Sequence, residues 1–447
     1  MNGSINNVED KVHGQNRGLV IQNNPFSYKT GNGKTIASMF SQWDSENLAQ
    51  IYTSNLQTDF SICKNYFKMT DGAAFKSFLK RKPFGIQIEE TEEQLGNENV
   101  ETVQSNRFVK AVQDWMRESC FVAVVRDFVW RKSCWNNDGL VEWLDKFSPQ
   151  FVCLAAGNIS AFYDMALFIS EKYEIPLYIY MGDDYFIYRS GLNPWKNLQR
   201  RRMSKKLAQA INKSSYVIAI CDKMSRVFQE KYGGRYYTCM NSIDFPEQRR
   251  VNRERSGKKI KLVYAGNLGI NRWKVLNLIG RALEELRAEG IEAQLDIYSS
   301  YTPTKRIHQA LTIPGALQFC GSVYGEELNR VKGEADILVH VEAFEKRYRQ
   351  LTYTAMSTKI SEYMGSGQTI LAVGPEEAAS IEFLKDNNAA LVVTNQSTDE
   401  IKEKVRCYIT EPEKCNDMCD RAVEIARQRF SKTENAKHIY EIISGAQ

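Results

Sequence analysis

The chain has no apolar run approaching the roughly 18–20 residues that a membrane-spanning helix needs; its longest apolar stretches are Phe121–Val125 and Tyr216–Cys221. The opening, MNGSINNVEDKVHGQ, carries neither a basic segment nor an apolar core, so it does not read as a signal peptide, and a cytoplasmic protein is expected. Proline is scarce, 10 in 447 residues, which excludes collagen-like and proline-rich scaffolds. The ten cysteines lack a framework: they are scattered from Cys63 to Cys419, several inside apolar strands, as reduced and buried thiols are. Cys415 and Cys419 stand one helical turn apart with no histidine or second pair near them, so no zinc site is expected. Tandem repeats, a G-x-G-x-x-G dinucleotide fingerprint and a D-x-D metal motif are missing too.

What is present can build cores. Hydrophobic residues make up 43 % of the chain and charged residues 25 %, which excludes wholesale disorder. Because single cores stop growing beyond about 250–300 residues, the length predicts two domains of roughly 200 each. The net charge of +5 is unevenly spread. Pro83–Asn106 holds six glutamates and no cation, and reads as a solvated insertion or loop. Tyr185–Cys221 holds eight cations and no acid, a contact surface for something negative.

The second half alternates short, continuously apolar strands with helices of 3.6 periodicity. Strands are expected at Lys261–Gly266, Gln294–Tyr298, Ala316–Cys320, Asp336–Val341, Thr369–Val373 and Ala390–Val393. That pattern predicts a parallel sheet covered on both faces, a doubly wound α/β domain. The first half repeats the theme, with strands at Leu19–Gln22, Ala49–Thr53, Phe121–Arg126, Phe151–Ala155, Leu177–Met181 and Tyr216–Ile220. Helices are expected at Gln104–Arg117, Ser160–Lys172 and Pro194–Ile211, and a charged linker at Asp244–Lys259. The expected architecture is thus two Rossmann-like domains facing a central cleft, residues 1–245 and 246–430. A helix over 431–447 is expected to pack back onto the first domain.

Several segments suit a phosphorylated ligand. Gly31–Asn32–Gly33 forms a glycine-rich turn after the first strand, opening a helix near Thr35, with backbone N–H groups for a phosphate or sugar. It is not a P-loop, which needs glycine where Tyr28 stands. In the second domain, Gly266, Asn267 and Gly269 follow the first strand and lead to a helix start bearing Arg272 and Lys274. Cations there oppose the helix dipole, which points to a diphosphate cradle. Ser357 is placed to cap a helix whose N–H groups, with Thr358 and Lys359, meet an anion. Glu362 lies one turn on, where a carboxylate can accept the hydroxyls of a ribose. Asp183 and Asp184 end a strand of the first domain, where they can act as a general base on an acceptor hydroxyl or orient it; Arg126–Asp127 is a weaker pair of the same kind. His308 and His340 read as structural.

The order G-N-L-G-x-N-R, F-C-G-S-V-Y-G-E-E-L, A-D-I-L-V-H-V-E and S-T-K-I-S-E-Y-M-G-S-G-Q-T-I-L-A resembles the donor domain of GT-B glycosyltransferases. It is most similar to the family-four-like bacterial enzymes that build surface polysaccharides. The resemblance covers about residues 258–430; the first domain matches only in layout. It implies that Arg272 and Lys274 hold the donor diphosphate, that Val323 and Tyr324 border the base, that Ser357 and Thr358 offer N–H groups to phosphate, and that Glu362 binds the ribose. Many relatives carry a second glutamate eight residues before the ribose-binding one. Thr354 stands there, and Glu342 and Glu345 are the carboxylates able to reach that space from another loop.

The function expected from the sequence is metal-independent transfer of a sugar from a nucleotide-diphosphate-sugar to an acceptor hydroxyl, with no cofactor. Arg272 and Glu342 serve the donor side and Asp183 and Asp184 the acceptor. A nucleotide-sugar epimerase of the same layout and a non-catalytic nucleotide-sugar-binding protein are the alternatives. The basic helix with Trp195, Lys196, Arg200, Arg201 and Arg202 suits an anionic membrane surface, and with it a lipid-linked glycan acceptor. One basic helix in an α/β enzyme does not suit nucleic acid.

Overall fold

A computed structural model describes residues 16–27, 31–90, 120–187, 193–245 and 259–445. The expected helix Gln104–Arg117, most of the acidic stretch and most of the linker lie outside the described residues. The chain divides into two compact units, one of Met1–Cys239 with Lys432–Gln447, the other of Met240–Ser431.

Unit 1 opens with β1 (Gly18–Ile21), α1 (Gly31–Met39), β2 (Leu48–Tyr52), β3 (Asn65–Lys68), α2 (Asp71–Lys80) and β4 (Ile86–Ile88). It continues through α3 (Cys120–Lys132), α4 (Asp138–Phe147), β5 (Phe151–Ala155), α5 (Ser160–Tyr173), β6 (Leu177–Met181), α6 (Pro194–Lys213), β7 (Tyr216–Ala219), α7 (Asp222–Tyr232) and β8 (Tyr236–Thr238). The strands lie in the order β4-β3-β2-β1-β5-β6-β7-β8, all parallel except the edge pair β3–β4. The order reverses direction between β1 and β5, so a crevice is expected past their carboxyl ends. Central strands such as β1, β2 and β6 are buried at every position, which is why they read as unbroken apolar runs.

Two expectations fail in this unit. Phe121–Arg126 is not a strand but the first half of α3. Its valines suit a strand locally, yet Val129 and Trp130 further along are buried and Phe121, Val125 and Phe128 exposed, a helical period that only the longer window reveals. Gly31 to Gly33 do not form a turn ahead of a helix; they are the first residues of α1 itself.

Unit 2 runs β9 (Ile260–Ala265), α8 (Arg272–Ala288), β10 (Ala293–Tyr298), α9 (Lys305–Ala310), β11 (Leu317–Gly321), α10 (Gly325–Gly333), β12 (Ile337–Val341), α11 (Lys346–Thr352), α12 (Lys359–Ser366), β13 (Thr369–Val373), α13 (Ala379–Asp386), β14 (Leu391–Val393), α14 (Thr398–Thr410) and α15 (Pro412–Phe430). Its sheet is wholly parallel, in the order β11-β10-β9-β12-β13-β14. This is the doubly wound order, with its switch point between β9 and β12. Leu262, Ile279, Leu283, Ile297, Val339 and Leu371 are among the fully buried side chains of its core. The last helix, α16 (Lys432–Ser444), belongs to unit 1: Tyr440 packs on Trp43 with ring centroids 5.0 Å apart, and Ile439, Ile442 and Ile443 join that unit's core.

Candidate active site

The switch point of unit 2 collects the charge. Past β9 the backbone turns through Gly266 and Asn267. Tyr264 donates its hydroxyl to the Asn267 carbonyl at 2.7 Å, and the Asn267 side chain accepts from the Gly269 N–H at 2.6 Å. Ile270 and Asn271 then take left-handed conformations, φ 50° and 62°, and α8 begins at Arg272. Past β12, Glu342 is buried, and it receives Arg272 side-on: Nε to Oε2 at 3.1 Å, Nη2 to Oε2 at 2.9 Å and to Oε1 at 3.2 Å. Burial pushes the Glu342 carboxyl up, while the Arg272 charge and hydrogen bonds oppose it. His340, buried on the same strand, shares a hydrogen bond of 2.8 Å with Ser380. Burial first, then the charges of Lys359 and Arg272, hold its pKa well below the ordinary value, so it stays neutral.

Lys359, the first residue of α12, supplies the second cation. Its ammonium lies 4.8 Å from the Tyr264 ring centroid and against the backbone of Gly266. A Cβ on Gly266 would fall 1.6 Å from Lys359 Nζ, so this glycine makes room for the lysine. Burial and the neighbouring Arg272 charge push Lys359 down to about 8. Arg272 and Lys359 therefore stand beside the same strand end with Glu342 as the buried counter-charge, and the half-exposed Glu362 also acts on Lys359.

Other expected residues are placed differently. Lys274 is tied outward: its ammonium sits 2.6 Å from Glu345 Oε1, which also accepts from Asn271 Nδ2 at 2.9 Å. Burial alone would raise Glu345, but these bonds hold its carboxyl below the usual range. Ser357 does not cap α12. The residue preceding that helix is Thr358, and its side chain makes no cap bond, because its φ and ψ are already helical. Glu362 is half-exposed on the first turn of α12 and pairs with Lys332 at 2.8 Å. Val323 is half-buried and Tyr324, 69 % exposed, immediately precedes α10.

In unit 1 the two aspartates after β6 part company. Asp184 Oδ1 accepts the N–H groups of Phe186 at 2.8 Å and Ile187 at 2.9 Å, so it fixes the turn. Asp183 accepts the Tyr185 hydroxyl, at 3.3 Å, and no other hydrogen bond among the described residues. Desolvation by surrounding groups pushes its carboxyl up and Asp184 adds to this, with the tyrosine acting against it, though the residue is exposed overall. Arg126 lies on α3, not at a strand end, and reaches Asn158 beyond β5 (Nη2 to O 3.0 Å, to Oδ1 3.1 Å).

Gln22 was not foreseen. It follows β1 at the switch point of unit 1, is 3 % exposed, and its Nε2 finds no hydrogen-bond partner among the described residues. A buried, unpaired amide costs roughly 1–3 kcal/mol and is kept where something outside the chain satisfies it. Only its place at the end of the first strand could have flagged it.

Two doubly wound units, each with its switch point after the first strand, define the GT-B fold. Solved structures of like fold include HepE of Anabaena in complex with UDP (14 % identity, 96 % of this chain and 100 % of that one, TM-score 0.61). Sucrose-phosphate synthase of Thermosynechococcus elongatus follows at 10 % identity, 97 % and 100 % coverage and TM-score 0.59. A glycosyltransferase of Rickettsia africae ESF-5 gives 13 % identity, 97 % and 100 % coverage and TM-score 0.54. No family model matches the sequence, and no curated protein does. At these identities the likeness is one of fold.

Proposed function

We propose that the protein is a glycosyltransferase that moves a sugar from a nucleoside-diphosphate donor to an acceptor hydroxyl. The observation that carries this is the pairing of Arg272 and Lys359 at the switch point of unit 2, two cations beside a bared strand end with a single buried counter-charge. In the reaction the bond from the sugar C1 to the diphosphate oxygen breaks and a bond from the acceptor oxygen to C1 forms. The acceptor proton passes to a base, and the nucleoside diphosphate leaves with the electron pair. Arg272, Lys359 and the N–H groups opening α8 and α12 face the charge that grows on the leaving group. Glu342 positions Arg272, and Glu362 holds the ribose once Lys332 yields it. Asp183, whose carboxyl desolvation pushes up, is the base, and Gln22 binds the acceptor. Unit 2 is thus the donor unit and unit 1 the acceptor unit.

HepE has also been solved with UDP and glucose and with UDP-glucose, which makes UDP-sugars the first donors to try. The acceptor in this reading is a lipid-linked glycan of surface-polysaccharide synthesis, met at the inner face of the membrane. No helix among the described residues is long and apolar enough to cross a membrane.

The test is a screen of nucleotide-sugars by thermal unfolding, followed by turnover. A true donor at 100 Kd adds about 2.7 kcal/mol of stability. Transfer is expected to persist in EDTA; activity lost there and restored by manganese or magnesium overturns the metal-independent route. An epimerase would convert the donor without acceptor, and a binding protein would show the thermal shift with no turnover.

A further inference from the structure

Three helices of unit 1 turn aromatic side chains outward. On α3, Phe121, Val125 and Phe128 recur at helical spacing on the solvent side, with Phe121 52 % exposed. Phe128 meets Phe78 of α2 at 5.8 Å, and beside Phe78 on the same helix Phe75 and Leu79 are 50 % and 62 % exposed. At the other end of the stripe, Phe121 meets Trp195 of α6 edge-on at 5.3 Å, and Leu198 follows one turn later. The contacts join these residues into one apolar face. Faces of this kind mark a surface that something covers.

The charges around that face name the occupant. Lys76 and Lys80 of α2, Arg131 and Lys132 of α3, and Lys196 and Arg201 of α6 are all exposed beside it. These helices hold two acids: Asp71 is turned to Trp130 (Nε1 to Oδ1 2.7 Å) and Arg126 (3.8 Å), and Asp127, half-buried next to Phe128, leaves the cations in excess six to one. Not all the cations of α6 take part. Lys206 pairs with Asp164 of α5, Lys213 with Glu171 at 3.5 Å, and Arg200 is half-buried with Nη1 3.4 Å from the Phe186 carbonyl; Arg202 is half-buried too. Of Arg200, Arg201 and Arg202, all expected at a membrane surface, Arg201 is the exposed one and the other two are half-buried.

We infer that the α2–α3–α6 face docks on an anionic lipid surface, with Phe75, Leu79, Phe121, Val125, Phe128 and Trp195 entering the headgroup layer and the cations meeting lipid phosphates. Aromatic tips among cations match an interface that is apolar below and negative above. This deepens the membrane part of the proposed function but rests on unit 1 helices alone. Vesicle binding and donor binding are separate measurements, and either can fail without the other.

The test uses the full chain and vesicles of phosphatidylcholine with or without about 30 % phosphatidylglycerol. Flotation should show binding only to the anionic vesicles, and Trp emission should shift to shorter wavelength on binding, a shift that Trp195→Phe diminishes. Phe121→Ser with Val125→Ser and Phe128→Ser should weaken binding about tenfold or more. These side chains are exposed, so the unfolding midpoint should hold. Trp195→Ala with Arg201→Gln, two surface changes on α6, should also weaken it. Equal binding to neutral vesicles, or undiminished binding by the serine variant, overturns the proposal. So does a dimer in solution that the serine variant dissociates, since a second copy would then be the occupant. Failure of wild type to bind unless residues 91–119 are removed would assign the face to this chain's own preceding segment and overturn it too.

Discussion

A methyl group on Gly266 would collide with the Lys359 ammonium, the far end of a flexible side chain, and only then with the Tyr264 hydroxyl at 2.9 Å. The fold can therefore absorb Gly266→Ala by swinging the lysine away, and stability should stay within about 1 kcal/mol of wild type. Nucleoside-diphosphate affinity, read by calorimetry, should fall about tenfold, the worth of a charge-assisted hydrogen bond. Unchanged affinity would mean that Lys359 does not face the diphosphate. The same lysine makes binding pH-dependent. Its folded pKa, about 8, lies below the ordinary lysine value of 10.5. Its contribution to stability is thus fully present above the unfolded pKa and lost as pH falls through about 8, below which the fold carries a partly desolvated ammonium. A diphosphate set against that ammonium restores the proton. Binding at about pH 9 should then take up a proton, seen as a heat that changes with buffer ionisation enthalpy, and affinity should fall as pH climbs past 8. Lys359→Arg should abolish the buffer dependence. Arg272 could be picked from the sequence because a cation at a helix start is out of place there, but the same argument picked Lys274, which is tied outward to Glu345; Lys359 stood out only through the family resemblance of its segment. Gln22 could not be picked, because an amide after an apolar strand looks like any other until its missing partner is known.

Elements were legible where burial leaves a pattern in one strand. The central parallel strands of unit 2, covered on both faces, spell continuous apolar runs and stand within a residue or two of their expected places. β3, β4 and β8 carry polar residues toward the sheet edges and left no such trace, and α11 (KRYRQLT) has no apolar period to read. α3 misled because its outward face is apolar as well as its buried one. α4 shows how much a single polar residue can organise. Asn137 accepts from the Leu140 N–H at 3.2 Å as the helix cap, while its amide donates to the carbonyls of Phe84, Cys134 and Trp135 at 3.0–3.1 Å. Asn137→Ala should cost about 2–3 kcal/mol in denaturant unfolding. Asn137→Asp keeps the acceptor and should recover part of that loss. Full recovery would show that the two amide protons shared among these three carbonyls contribute nothing.

At the scale of the whole molecule, unit 2 is one continuous stretch of chain, whereas unit 1 is closed by residues from both ends. The Tyr178 hydroxyl reaches the carbonyls of Ile442 and Ile443 at 3.4 and 3.3 Å, and three isoleucines of α16 complete the core around Trp43. Each buried isoleucine is worth roughly 1.5–3 kcal/mol, so ending the chain at Ser431 removes on the order of 5 kcal/mol or more from unit 1. That is a large part of an ordinary domain's stability. The shortened chain should lose the unit 1 unfolding transition while still binding nucleoside diphosphate through unit 2. Loss of both would show that unit 2 cannot stand without its partner.

This closure also fixes a timetable on the ribosome. Unit 1 is mostly synthesised first, but it must wait while about 190 further residues, Met240–Ser431, are added before its last helix emerges. At about 5–20 residues per second that delay is roughly ten to forty seconds. Throughout it, the seat of α16 between Trp43 and Tyr178 stands bare, an oily groove on a nascent chain. Unit 2, begun later, can finish earlier. The part of the protein made first is therefore the part finished last, and the one most in need of a chaperone.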